Sequence, residues 1–357
     1  MSDPTRVLVT GGFGNVGAHV VRSAAAAGHD VTVIDLRTDA TTAKAKALRA
    51  EGVPFTAHAV DLTDPLAVAE VVAAVAPGVI IHTAAVIAPT AFTMPERARA
   101  VNVDGTANLL AAAKASGRNP RFVFLSSYTV VGPRNPHRNL DPITGDTPSD
   151  PADTYARHKA EGEAMVAASG LPWTVLRLPA VGSLDEGWGR GDEFLRFMFL
   201  IPLDQREHGC DARDVGRAVA NAATADVEGR ILAIGGTDDW RTTAREHRAA
   251  ALAAQGLPMP DVRAFRRAHA DADHAWYAED VVDTTEAQHL LDFQRISWAD
   301  HLDAISAGPV TRTLMRAMGP AVAGTLARRS PFRDQPIDAE SLWTRVADTF
   351  GIPHDTR

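Results

Sequence analysis

One cysteine, three tyrosines and four lysines are all that 357 residues hold of those types, and each scarcity removes an explanation. A lone Cys210 excludes an intrachain disulfide and any multi-cysteine metal centre. The histidines are scattered without HxxxH-type spacing, so no metal is expected. Positive charge is in short supply, with 36 Lys+Arg against 44 Asp+Glu and a formal charge of -8. That balance lacks the basic footprint a nucleic-acid partner needs. No apolar run is long enough to span a bilayer, and Met1-Ser2-Asp3-Pro4-Thr5 is not a basic-then-apolar signal region. A soluble, cytoplasmic protein with a small-molecule substrate and no membrane partner is expected.

What is present is concentrated near the start. Val7-Leu8-Val9 is a short apolar run ending in glycines, the pattern of a buried parallel strand. In Gly11-Gly12-Phe13-Gly14-Asn15-Val16-Gly17, the first two glycines permit the turn and Gly14 leaves room for a pyrophosphate. Gly17 lets the next helix pack tightly on the sheet. That helix, over about 16–27, opens with free N–H groups aimed at phosphates and is closed by Gly28. A second apolar run, 31–34, ends in Asp35, where a carboxylate meets adenosine ribose hydroxyls. Strand, glycine turn, helix, strand and terminal Asp, in that order, specify dinucleotide binding. Asp35 repels the 2′-phosphate of NADP, and Arg37 is the one nearby cation that would attract it. NAD is therefore the expected cofactor.

Further along, a third strand near 55–60 ends in Asp61-Leu62. Asp61 either reaches the adenine or caps the helix that begins near Pro65. Residues 78–85 form another buried strand, and its small Ala84 and Ala85 let backbone lie against a cofactor. Asn102 falls in a long amphipathic helix ending at Gly117, either as a buried group bonding backbone or as part of the site. The fifth strand, 121–125, delivers Ser126-Ser127 and Tyr128-Thr129 to the carboxyl edge of the sheet, where ligands of doubly wound folds collect. After a Pro- and Asn-rich loop, a helix opens with Tyr155 and Lys159 four residues apart on one face. With so few tyrosines and lysines, this spacing arises by chance with a probability of only about 0.03.

The chemistry asks for these residue types. A phenol titrates near ~10, and a neighbouring ammonium favours its phenolate form. Tyr155 would take or return a hydroxyl proton while hydride moves, Lys159 would also hold a ribose hydroxyl, and Ser127 would orient the substrate oxygen. Ser126 competes for that last task.

These residues resemble the short-chain dehydrogenase/reductase superfamily, in its extended, epimerase/dehydratase branch. Thr10 to Gly17 is similar to its TGxxGxxG turn, Asp61-Leu62 to its adenine-side pair, and Ile81-His82-Thr83-Ala84-Ala85 to its HxAA strand. Asn102 with Gly105-Thr106 resembles NxxGT, and Tyr155 to Lys159 is its YxxxK, with Val130-Val131-Gly132 placing the catalytic hydroxyl at Ser127. The resemblance implies an α/β fold, a doubly wound parallel (Rossmann) sheet with a smaller, mostly helical substrate-binding lobe toward the C-terminus, in a homodimer. Residues 1–178, completed by about 212–235, would bind NAD. Residues 179–211 and 236–305 would form the substrate lobe, and 306–357 a helical extension that is solvated or contacts a subunit.

Departures from the family pattern narrow the activity. Where dehydratases of the branch carry Asp-Glu, this chain has Tyr128-Thr129, which disfavours dehydration. Pro179 stands where nucleotide-sugar epimerases usually have Asn, and only a short apolar link, holding Trp188, separates it from Arg206. Tyr128, Trp188 and Arg206 are candidate substrate contacts beside Ser127, and Pro179 a cofactor contact. Three readings follow: an NAD-dependent oxidoreductase of secondary alcohols and ketones, an NAD-dependent nucleotide-sugar 4-epimerase using the same residues, and a dinucleotide sensor without turnover.

Overall fold

Alternation along the first strand fixes two layers. β1 (Arg6–Thr10) turns Val7 and Val9 into one core and Leu8 into another, all fully buried, as in a strand covered on both faces. The computed structural model describes residues 5–184 and 191–354. In it, β1 joins β2 (Asp30–Asp35), β3 (Thr56–Ala59), β4 (Val79–His82), β5 (Arg121–Ser127), β6 (Trp173–Leu178) and β7 (Arg230–Ala233). The seven form one parallel sheet in the order β7-β6-β5-β4-β1-β2-β3. The strand order reverses direction between β1 and β4, so a crevice opens beyond the carboxyl ends of the strands. The doubly wound α/β fold expected from the sequence is the fold observed.

The covering helices are α1 (Asn15–Ala26), α2 (Asp39–Ala50), α3 (Pro65–Val75), α4 (Gly105–Ala115) and α5 (Thr154–Ala167). They are followed by α6 (Gly191–Leu200) in the second lobe and α7 (Ala212–Ala222) back on the sheet. Val20, Val21 and Ala24 of α1 and Val215 and Val219 of α7 pack on Val7 and Val9. Val68 and Val72 of α3 and Leu109 of α4 cover Leu8, Ile80, Phe122 and Phe124. A Cβ at Gly216 would lie 2.6 Å from the His19 carbonyl carbon, so glycine sets the approach of α7 to α1. The long helix expected to carry Asn102 is interrupted. A short helix, Pro95–Arg99, passes into one widened π-helical turn, Ala100–Asp104, before α4 begins.

The second lobe has its own core of Phe199, Leu200, Ile201, Phe265 and Tyr277, and the chain end joins it. Phe332, Leu342, Trp343 and Val346 are buried in that same cluster, and Arg266 is paired with Asp338 at 2.9 Å. The solvated tail expected beyond residue 306 is corrected to this extent, because its apolar side chains complete the lobe's core. Among the described residues, no helix is long and apolar enough to cross a membrane, and no group of three or more His, Cys, Asp or Glu is placed to hold a metal ion.

One buried ionic junction ties α5 to the sheet. Glu163 on α5 accepts from Arg177 of β6 at 3.0 and 2.9 Å and from the Ser126 hydroxyl of β5 at 2.5 Å, all three residues buried. Removing one member of such a junction strands the others in a desolvated site. Glu163→Ala should therefore destabilise the protein by about 3 kcal/mol in denaturant unfolding. A loss below about 1 kcal/mol would show that Arg177 is satisfied without it.

Candidate active site

The cofactor end of the cleft is built by glycine. Gly11 adopts φ +63°, and a Cβ there would lie 2.7 Å from the Cα of Ala84; a Cβ at Gly17 would lie 2.1 Å from the Gly11 carbonyl oxygen. These two glycines let the turn touch β4 and let α1 start against it. Gly14 is the N-cap of α1 and has no side chain to bond the first-turn N–H groups, and a Cβ there would meet only the Gly11 oxygen. The turn is therefore open where a phosphate would approach. Beside it, the Asn15 Oδ1 is buried with no hydrogen-bond partner. Asp35, at the end of β2, accepts from the Phe13 N–H at 3.0 Å and the Leu36 N–H at 2.8 Å, so it braces the glycine turn from the cleft floor. Burial raises the Asp35 pKa, and those two N–H groups work in the opposite direction.

A cleft of about 750 Å³ runs from here across the sheet edge. Gly11, Phe13, Gly14, Asn15, Val16, Gly17, Asp35, Asp61, Leu62, Ala84, Ala85, Ser127, Tyr128, Tyr155, Lys159 and Pro179 all line it. An orphaned polar atom, an open glycine cradle and a ribose-height carboxylate fit a dinucleotide. Of the expected cofactor residues, Gly12, Arg37 and Asn102 lie outside the lining. Gly12 is a packing residue, since its Cβ would come within 2.7 Å of the Val33 side chain. Arg37 is exposed. Asn102 acts one step away. Its Oδ1 accepts from the Val86 N–H at 2.7 Å and its Nδ2 donates to the Val86 carbonyl at 2.9 Å, pinning the loop after β4. Asp61 lines the cleft and its Oδ1 accepts from the Thr63 N–H and hydroxyl, so it turns the chain ahead of the helix without capping it. The helix cap itself is Asp64.

At the other end, β5 and α5 bring Ser127 and Tyr155 together in the lining of the cleft, with Ser127 near enough to pull the phenol pKa down. The Thr129 hydroxyl donates to the Ser127 Oγ at 3.1 Å. Ser126 is excluded as the substrate-facing hydroxyl because it is buried and bonded to Glu163. Lys159 is buried beneath. Its Nζ donates to the Leu125 carbonyl at 2.7 Å and lies 6.0 Å from the centre of the Tyr155 ring. Burial lowers the ammonium pKa to about 8, with Glu163 opposing. The expectation that Lys159 and the positive nicotinamide ring together bring Tyr155 toward phenolate concerns the cofactor-bound state, and in the protein alone the balance runs the other way. Burial, and then the Asp153 carboxylate, push the phenol well above its usual range, with Ser127 pulling the other way. The buried Asp153 is itself raised to about 6, foremost by burial, and its Oδ1 caps α5 through the Ala156 N–H at 2.8 Å.

Two expected substrate contacts fare differently. Arg206 does not line the cleft. Its guanidinium is held by Asp280, Nε to Oδ1 at 2.7 Å, and by the Asn139 carbonyl, so it is not free for a phosphate. Tyr128 lines the cleft, though its ring packs with Val130, Ile143 and Val282 and its hydroxyl is buried without a partner. Trp188 lies outside the described residues. Phe194 and Phe197 of α6 do line the cleft, while Phe199 and Leu200 of the same helix enter the lobe core. The apolar link thus serves both as cover and as core. Sequence reasoning missed Arg97, Asp153, Tyr277 and Glu279. Asp153 had a local signal, an Asp directly before Thr154 where a helix starts.

Comparison with known proteins then decides the family. The model of the "NAD dependent epimerase/dehydratase family" matches residues 7–196, more than half of the chain. The chain belongs to that family. The extended short-chain dehydrogenase/reductase branch inferred from the motifs is thereby confirmed. Among curated proteins, a 3-beta-hydroxysteroid dehydrogenase of Mycolicibacterium neoaurum is 32% identical over 212 residues, 54% of this chain and 52% of the relative. A UDP-glucose 4-epimerase of Lactobacillus helveticus is 29% identical over 208 residues, 55% of this chain and 58% of the relative. The similarity thus spans about half the length of these relatives. Among solved structures, the UDP-glucose 4-epimerase of Thermotoga maritima with UDP-glucose superposes at a TM-score of 0.69 with 20% identity, over 86% of this chain and 99% of that one. The NAD complex of the Thermus thermophilus UDP-glucose 4-epimerase gives 0.66 with 23% identity, over 84% and 97%. At these identities the superpositions speak for the fold of the epimerase/dehydratase family.

The carboxylate of Asp35 at the end of β2, lining the cleft, gives a test of dinucleotide preference. NAD should bind at least about tenfold more tightly than NADP, about 1.4 kcal/mol, in calorimetric titration. Asp35→Ala should narrow the gap and weaken both, since the brace on Phe13 is lost as well. Equal affinities in the wild type would remove Asp35 from this role.

Proposed function

We propose that the protein is an NAD-dependent oxidoreductase that transfers hydride between the cofactor and a secondary alcohol or ketone, with Tyr155, Lys159 and Ser127 as the proton-handling group. The observation that carries this reading is the placing of Tyr155 and Ser127 side by side, with the Lys159 Nζ 6.0 Å from the phenol ring centre, in the same cleft as the glycine turn and Asp35. The sensor reading leaves that pairing without a task.

The groups divide the work by position. When bound, NAD supplies the hydride acceptor or donor. The Tyr155 hydroxyl moves the proton at the substrate oxygen. Burial keeps it protonated, so the donor form is the one present for reduction, and cofactor charge and Ser127 have to ease that proton off. Ser127, half-buried and steadied by Thr129, donates to the oxygen as charge develops and fixes its orientation. Lys159 adds a cation behind the phenol that costs no reorganisation, since Leu125 already holds it. Asn102, through Val86, keeps the loop bearing Ala84 and Ala85 in register with the glycine turn. A cytoplasmic homodimer goes with this reading, as the family resemblance implies. So does the division into a nucleotide-binding part over 1–178 and a substrate lobe after it.

The choice of oxidoreductase over epimerase rests on the substrate end. Arg206 is committed to Asp280, Pro179 offers neither side-chain polar group nor N–H, and Phe194 and Phe197 present ring surface. Such a wall suits a partly apolar substrate. Titration of NAD-loaded protein with UDP, UDP-glucose and TDP-glucose should show no micromolar binding. Micromolar binding that disappears in Arg206→Ala would promote the epimerase.

The relay has its own test in NADH absorbance. Tyr155→Phe should lower turnover about 10²- to 10⁴-fold while NAD affinity stays within a few-fold. Lys159→Met should damage both. A Tyr155→Phe variant that keeps most of its rate would refute the assignment.

A further inference from the structure

Beyond Ser127 and Tyr155, the cleft wall is Ala180, Val181, Phe194, Phe197 and Tyr277, and then, unexpectedly for such a wall, Glu279. The Tyr277 phenol is influenced by the charges of both Tyr155 and Glu279, so the three crowd one end of the cleft. The backbone of Glu279 is held, its carbonyl accepting from the Gln205 Nε2 at 2.6 Å. Its carboxyl is not held. Among the described residues it has no hydrogen-bond donor and no ion-pair partner. Arg248 attracts it, but that guanidinium is committed to Glu207 at 2.9 Å, and Glu207 repels Glu279.

Glu279 is half-buried, and the more deeply buried acids of the protein are answered. Glu163 has Arg177 and Ser126, and Asp280 has Arg134 and Arg206. A half-buried carboxyl that the protein itself leaves unpaired on a cleft wall is available to a hydrogen-bonding group of whatever the cleft binds. Burial first, and then Glu207, raise its pKa above the usual carboxyl range, which favours the protonated acid that can both give and take a hydrogen bond.

We propose that Glu279 determines substrate specificity by binding a hydrogen-bond donor, hydroxyl or amine, carried on the otherwise apolar body of the alcohol or ketone. A hydroxyl satisfies both oxygens of the protonated acid, and an amine takes its proton and remains as the paired ammonium. This inference rests on the oxidoreductase reading and narrows it to polar-tipped apolar rings. A site built around a hydrogen bond rejects the analogue lacking it, because its own buried group is then left unpaired.

The test is a panel of ring alcohols from cyclohexanols through decalinols to androstanols. Each is offered with a hydroxyl, an amine, a methyl or a methyl ether at the far end of the ring system, and NADH formation is followed. The expected result is a kcat/KM at least about tenfold higher for the hydroxyl or amine member than for its methyl and methyl ether counterparts. Glu279→Leu should collapse that ratio to within about threefold. Glu279→Gln should keep the hydroxyl preference and lose the amine preference, which separates the two donor sources. NAD titration and melting temperature check that both variants are folded. Turnover without any donor preference, or a preference unchanged in Glu279→Leu, would overturn this proposal and leave the oxidoreductase standing. NAD binding with no turnover and no binding of any panel member would overturn both.

Discussion

The approach of Gly17 to the carbonyl of Gly11 is the constraint from which the site follows. No side chain fits there, since a Cβ on Gly17 would sit 2.1 Å from that oxygen. With glycine, α1 starts directly on the sheet and its first turn faces the crevice. The same turn lies against Ala84, so the loop after β4 is held at the depth at which Ala84 and Ala85 line the cleft. A buried neutral histidine secures the arrangement. His82, its pKa lowered to about 3 first by burial and then by Lys159, is bonded by Thr10 at 2.7 Å and Thr106 at 2.9 Å, joining β1, β4 and α4.

The catalytic end inherits its position from the same sheet. β5 ends in Ser127, and α5 returns over it so that Tyr155, Lys159 and Glu163, spaced four residues apart, descend from the cleft into the core. The first of these lines the cleft, the second is buried under the phenol, and the third anchors the helix to Arg177. One helical face thus carries chemistry at its upper end and structure at its lower end. Local packing alone leaves Tyr155 a stronger proton holder than free phenol, so cofactor charge and Ser127 have to work against burial.

The cofactor half was legible in the sequence because its signals are local. Glycines at fixed offsets and an Asp at a strand end are short-range requirements of backbone geometry, and Tyr155 and Lys159 share one helix. The substrate half was less legible because its partners are far apart in the chain. Arg206 reads in sequence as a substrate contact, but Asp280, 74 residues later, claims its guanidinium. Glu279 carried no pattern at all, and only its place in the cleft beside Tyr277 gives it meaning. The tail beyond 306 shows a run of arginines in sequence, yet Leu342, Trp343 and Val346 are what the lobe core takes from it.

The central claim is that hydride leaves the substrate for good, under the control of Tyr155. Single-turnover label transfer tests it most directly. An alcohol deuterated at the carbinol carbon is mixed with NAD-loaded protein, and the nicotinamide and the recovered substrate are analysed by mass spectrometry and NMR. The account predicts deuterium in NADH, with formation of the ketone and an unaltered configuration in any unreacted alcohol. Return of the label to the same carbon with inverted configuration, or no label in the nicotinamide, would contradict it.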